Sequence, residues 1–179
     1  MLSDDIRNLK VWFRQKNPKS AGADGELCAE GWLKREGWDF TKVEDQAQGT
    51  MAKNLRAYGG KRPDFLAIDP KDGALLVLDA KHVSTANCQT FTLTEKELAK
   101  YVGLLNFIEA EHDFPAILVA FMVIPKESKL TRMVFVRLDD FETGQATQLG
   151  GEPALSVSLL DRNALWTDIN PADAFPTPQ

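Results

Sequence analysis

Residues 75–83 read LLVLDAKHV, an apolar run that ends, with no turn signal, in an acid and a lysine two positions apart. Side chains alternate along a strand, so Val77, Asp79 and Lys81 share one face. Burying a carboxylate or an ammonium is costly without partners. A strand that carries both toward one side of a sheet therefore needs a polar reason to do so. The stretch before it supplies a companion: PDFLAID reads as a strand and PKDG as a turn, which makes a hairpin returning through ALLVLDAKHV. Further on, AILVAFMVI lies between Pro115 and Pro125 and reads as a fully buried strand, with RMVFVRL as its neighbour.

Helical segments surround these strands. Ile6, Leu9, Lys10 and Phe13 predict a first helix over 3–16, broken by Asn17-Pro18. After the loop SAGADG, ELCAEGWLKRE predicts a second, closed by Gly37 as a C-terminal cap. Trp38 to Val43 reads as a short strand. Gln46 to Gly60 reads as a polar loop with a helical turn around Ala52 to Tyr58, and Ser84 to Thr92 as a polar connector. Thr94 and Glu97 have capping-box spacing, and the helix they open repeats Leu98, Tyr101, Val102, Leu105 and Ile108. Beyond Gly150 only SVSLL suggests a strand, and the proline-rich end NPADAFPTPQ reads as frayed. The expected class is α/β (α+β): a central mixed sheet of four to five strands flanked by helices. The expected layout is one domain, with a core over 1–150 and a C-terminal extension over 151–179.

Composition narrows the function classes. The chain has 179 residues, 44% hydrophobic and 26% charged, an ordinary globular balance. No stretch has the apolar length of a membrane span, and the start MLSDDIRNLKVWF lacks the basic and apolar regions of a signal peptide. Cys28 and Cys88 form no CxxC pair, which speaks against a disulfide framework or zinc knuckle and for a reducing cytoplasm. A toxin delivered by a secretion machine would look the same. The net charge of −5 is weak evidence against nucleic-acid binding. Its distribution is uneven. Arg7, Lys10, Arg14, Lys16 and Lys19 crowd the first twenty residues, Lys53, Arg56, Lys61 and Arg62 stand without an acid among them, and the acids concentrate after Asp139.

The hairpin sets Asp64 and Asp79 at the same end of paired strands. Two carboxylates so close repel each other, and a hard divalent cation such as magnesium relieves that repulsion. Lys81, one pleat on, can touch a metal-bound water or a phosphate. Glu26 lies at the edge of the buried stripe that holds Trp32 and Leu33, and points toward the sheet; Glu30 reads as solvated. The blander alternatives are a surface ion pair for Asp79 and Lys81 and a dipole-favoured first-turn acid for Glu26. Asp69 and Asp72 read as turn formers, His82 as a packing or surface residue on the opposite pleat, and His112 as a cation at a helix end. Cys28 reads as core, and the tryptophans as core or edge fillers.

Pro63-Asp64 followed by Asp79-Ala80-Lys81 resembles the signature of the PD-(D/E)XK nuclease superfamily, the restriction-endonuclease-like fold. GELCAEGWLKREGW (Gly25 to Trp38) is similar to the first core helix of its Holliday-junction-resolvase-like and repair-type members. The resemblance spans roughly residues 22 to 138. It implies metal-assisted phosphodiester hydrolysis, with Asp64, Asp79 and the carbonyl of Ala80 on Mg²⁺ (Mn²⁺ substituting) and Glu26 completing the shell. It implies that Lys81 orients the attacking water and stabilises the transition state. It also implies that Lys96, Lys100 and Tyr101, on the helix after the lysine, face the active site and its nucleic acid, beside Lys53, Arg56, Lys61 and Arg62. No glutamine stands where several members carry one on that helix.

The leading expectation is a metal-dependent endonuclease on DNA, serving repair, restriction or defence, or forming the nuclease domain of an interbacterial toxin with a cognate immunity protein. An RNase (tRNase) toxin domain and a non-catalytic nucleic-acid- or protein-binding module of the same fold remain open. A homodimer would suit duplex cleavage. A cytoplasm, its own or a target cell's, is the expected location.

Overall fold

The computed structural model describes residues 23–43, 52–161 and 165–174. The helix expected over 3–16, the basic residues Arg7 to Lys19 and part of the loop before Ala52 lie outside the described residues. The described elements are α1 (Ala23–Arg35), β1 (Phe40–Lys42), α2 (Ala52–Ala57), β2 (Phe65–Ile68), β3 (Leu75–Val83), β4 (Thr90–Thr94), α3 (Glu95–Glu111), β5 (Ile117–Pro125), β6 (Arg132–Arg137), β7 (Gln145–Leu149), β8 (Glu152–Ser158), β9 (Trp166–Asp168) and α4 (Pro171–Ala174). They make two sheets, one of six strands in the order β1-β2-β3-β5-β6-β9 and one of three in the order β4-β8-β7. The larger sheet therefore exceeds the expected four to five strands. The chain divides into two compact units, and β3 and β5 run from one into the other.

The first unit includes Asp39–Asp79 and Lys96–Val119. Strands β1, β2 and β3 pair antiparallel, with Phe40 opposite Ala67 and Phe65 opposite Leu78. The hairpin turn behaves as its composition requires. Asp69 Oδ1 accepts the Lys71 N–H at 2.8 Å, Asp72 Oδ1 accepts the Ala74 N–H at 2.9 Å, and Gly73 takes a φ of +74° that suits glycine. Behind the hairpin, Phe65, Leu66, Leu75, Val77 and Leu78 are buried. Helix α3 turns Leu98, Tyr101, Leu104, Phe107 and Ile108 inward. Val102, expected on that stripe, is 46% exposed, because one further residue rotates the side chain by about 100°.

A close backbone approach fixes the segment before β2. A Cβ on Gly103 of α3 would strike the Tyr58 carbonyl, and one on Gly60 would lie 2.9 Å from the Leu104 nitrogen. With no side chain on either, the strip Tyr58–Gly60 lies directly on the helix backbone. That delivers the next residue, Lys61, to the helix face that carries Tyr101.

The second unit includes residues 23–38, Ala80–Glu95 and 120–174. Helix α1 ends in a Schellman motif: the Trp38 N–H donates to the Leu33 carbonyl at 3.0 Å and the Gly37 N–H to Lys34 at 3.2 Å, with Gly37 at φ +72°. Its Trp32 packs on Phe135 with centroids 5.3 Å apart and donates Nε1–H to Thr167 Oγ1. Phe91, Phe121 and Phe141 meet in a cluster with centroids 5.5 to 5.9 Å apart. The segment read as a polar connector holds part of a strand: TFTLT alternates threonine with buried Phe91 and Leu93 and pairs with β8, Phe91 opposite Val157. QATQL, wholly exposed, is a strand as well. Residues 171–174 of the expected frayed end form a short helix. Among the described residues no helix is long and apolar enough to cross a membrane.

Candidate functional site

Asp64 is pinned through its backbone. Its N–H donates to the Leu78 carbonyl at 3.0 Å, and its carbonyl accepts the Val43 N–H at 2.8 Å. Continuing the register one step from Phe65 opposite Leu78 sets Asp64 opposite Asp79. Asp79 follows four buried apolar residues and is itself only 3% exposed. A carboxylate so buried requires compensation.

Tyr101 and Lys61 supply it. The Tyr101 hydroxyl donates to Asp79 Oδ2 at 2.8 Å. The Lys61 ammonium donates to Tyr101 Oη at 2.8 Å, stands 3.4 Å from Asp79 Oδ1 and 3.8 Å from Glu97 Oε1, and rides 4.6 Å above the Tyr101 ring centre. Ammonium, phenol and carboxylate thus close a triangle. Burial pushes the Tyr101 phenol far above its ordinary range, and the charge and hydrogen bond of Asp79 push it further, with Glu97 and Asp64 adding to the effect. The hydroxyl keeps its proton and remains a donor to Asp79.

The other expected site residues are placed as follows. Lys81 is half-buried on β3, on the same pleat as Asp79 by alternation, while Ala80 and His82 turn the other way. His82 is a packing residue: a Cβ on Gly25 would come within 2.7 Å of the His82 Cβ, so the first turn of α1 seats directly on that pleat. Glu26, next to Gly25, is half-buried. The structure thus gathers Asp64, Asp79, Tyr101, Lys61 and Glu97 in one unit and sets Glu26, Ala80 and Lys81 in the other.

Among the residues expected on nucleic acid, Arg56, Lys96 and Lys100 are exposed and Arg62 is half-buried; the Lys53 side chain lies outside the described residues. Tyr101 requires correction. It has no exposed surface, so it cannot stack on a base, and its hydroxyl serves Asp79 instead. Lys61 likewise directs its ammonium at carboxylates. A signal for Tyr101 was present in the sequence, since a tyrosine on a buried helical stripe must find a partner for its hydroxyl. Lys61 had none, because its placement depends on the packing of Gly60 against Gly103. His112, expected as a helix-end cation, packs its ring against Phe107 and Phe114.

Two further features of the second unit bear on function. Glu127 ties down the segment after β3: it accepts from the Thr85 N–H at 2.9 Å, the Ser84 hydroxyl at 2.7 Å and the Thr85 hydroxyl at 3.1 Å. These bonds, the Thr85 amide foremost, hold its carboxyl down at about 2. Among the described residues, a groove of about 570 Å³ is lined by Thr90, Thr143, Gln145, Ser156 and Ser158 with Asp140 and Asp161.

Among the described residues no three His, Cys, Asp or Glu side chains stand together as a metal cluster. Magnesium asks for less, since it keeps several waters and is commonly held by one or two carboxylates. Asp64 and Asp79 offer hard oxygens at facing register positions, and the Lys61 ammonium against Asp79 marks a place where positive charge is stabilised. The residues fit such an ion.

No family model matches the chain, and no curated protein matches it. Among solved structures, the chain is similar to Hjc, a Holliday junction resolvase from the archaeal hyperthermophile Archaeoglobus fulgidus, at 15% identity and a TM-score of 0.43 over 89% of this chain and 100% of that one.

Proposed function

We propose that the chain is a metal-dependent nuclease of the PD-(D/E)XK type that hydrolyses phosphodiester bonds in DNA. The observation that carries this reading is the pairing of Asp64 with a buried Asp79 across one hairpin, with Lys81 two residues on. Asp64, Asp79 and the Ala80 carbonyl would hold Mg²⁺ or Mn²⁺, with Glu26 as a further acid. Such an ion supplies Lewis-acid polarisation and a more acidic bound water.

The chain's own residues do the rest. Tyr101, kept protonated, holds the Asp79 carboxylate in one orientation. Lys81 would orient the attacking water and donate to the phosphate oxygens as a P–O bond forms to water, the bond to the leaving oxygen breaks, and the proton shed by the water passes through solvent to that leaving oxygen. Arg56, Lys96 and Lys100 face solvent and, with Lys53 and Arg62, would neutralise backbone phosphates. The work would be done in a cytoplasm, as a repair, restriction or defence enzyme or as a toxin domain with its immunity protein. Homodimerisation would bring two such sites to a duplex.

The deciding experiment incubates the protein with supercoiled plasmid and with total tRNA, each with Mg²⁺ and with EDTA. Plasmid nicking that EDTA abolishes is the expected result, with Asp79→Asn and Lys81→Ala lowering the rate by roughly 10²-fold or more. Cleavage confined to tRNA would make the enzyme an RNase. Undiminished nicking by both variants, or binding with no metal-dependent cleavage, would overturn the reading.

A further inference from the structure

Lys61 stands against the carboxylate that the proposed site would offer to a metal ion. Its ammonium lies 3.4 Å from Asp79 Oδ1 and 3.8 Å from Glu97 Oε1, and donates to the phenol that binds the other Asp79 oxygen. Its position is built in. Gly60 and Gly103 allow the turn segment before it to rest on the backbone of α3, which shortens the reach from the main chain to Asp79. The side chain is 29% exposed, so the ammonium is partly withdrawn from water yet has a path to it.

We propose that Lys61 is an internal counter-ion that competes with the divalent cation for Asp79 and so sets the affinity of the site for metal. This rests on the metal-dependent reading above. Two effects act in the same direction. An ammonium hydrogen-bonded beside the carboxylate must leave that place when a divalent ion takes the same oxygen. Its positive charge, if it stays nearby, also repels the incoming ion. In exchange, the metal-free protein is spared an unneutralised buried carboxylate, which would otherwise destabilise the fold. The arrangement offsets part of the buried negative charge without metal and raises the metal concentration at which the site fills.

The test measures metal binding directly, by isothermal titration with Mn²⁺ and Mg²⁺ and by the shift of the unfolding temperature that each ion causes. It uses the wild-type chain, Lys61→Met and Lys61→Arg, with each variant's fold checked by circular dichroism. Lys61→Met should bind Mn²⁺ up to roughly fivefold tighter, a difference of one ion pair, while unfolding at lower temperature without metal. Lys61→Arg, which keeps the charge, should bind no tighter than the wild type. Equal affinity in Lys61→Met and wild type, with binding present in both, would overturn the competition. Absence of binding in all three would instead overturn the metal-dependent reading and the competition with it. Should Lys61→Met fail to fold without metal, recovery of its fold by Mn²⁺ at concentrations that leave the wild-type unfolding temperature unchanged would support the proposal, and no recovery would overturn it.

Discussion

Tyr101 shows how one buried hydroxyl can organise a charged site. Its hydrogen bond to Asp79 is made in a place without exposed surface, where a bond to a charged group is worth about 1.5–3 kcal/mol. Tyr101→Phe should therefore lose about that much stability in urea denaturation at neutral pH, and an unchanged midpoint would show that the hydroxyl is not needed there. At this scale the sequence was legible in part. Asp64 and Asp79 could be paired because turn chemistry and strand alternation specify register. Tyr101 could be placed on the buried stripe but not assigned its partner, because that partner is on another element. Lys61 looked like any basic surface residue, since nothing local distinguishes a lysine bound to phosphate from one bound to Asp79.

Whole elements followed the same division. The hairpin, α1 with its Gly37 cap and the buried strand β5 were readable because each rests on local signals: turn residues, a left-handed cap, a continuous apolar run. Strands β4, β7 and β9 were not. Thr90–Thr94 buries only two residues, Gln145–Leu149 buries none, and Trp166–Asp168 has three residues in all; such strands are held by backbone pairing that composition does not announce. The seat of Tyr58–Gly60 on α3 yields a further expectation. Alanine normally favours a helix over glycine by about 1 kcal/mol. At Gly103 the added Cβ would collide with the Tyr58 carbonyl, and overpacking of this kind costs about 1–3 kcal/mol. Gly103→Ala should therefore lower the thermal midpoint despite its better helix propensity, and a raised midpoint would show that the strip can move aside freely.

Across the whole molecule, a net charge of −5 has to be reconciled with the polyanionic substrate proposed above. Attraction must then come from local cations, of which Lys96 and Lys100 lie exposed on the first turns of α3, the helix that also holds Tyr101. Replacing both by alanine should weaken DNA binding and reduce the steepness of its salt dependence by about 0.9 for each phosphate that is no longer neutralised. Fluorescence anisotropy with a metal-free oligonucleotide duplex measures this, and an unchanged slope would mean that other cations hold the backbone. The interleaving of segments between the two units was not readable in advance, because it depends on which distant strands pair rather than on what any strand contains.

The proton on Tyr101 has a consequence at the alkaline end. Its phenol ionises far more reluctantly in the folded chain than in the unfolded one, so the stability it contributes is complete below the ordinary phenol range and is lost as pH rises beyond it. Base thus acts on this protein chiefly through the unfolded chain, which sheds a proton that the folded chain retains. A tyrosinate at residue 101 is accordingly a mark of an opened site, and the ultraviolet band of that anion dates the opening.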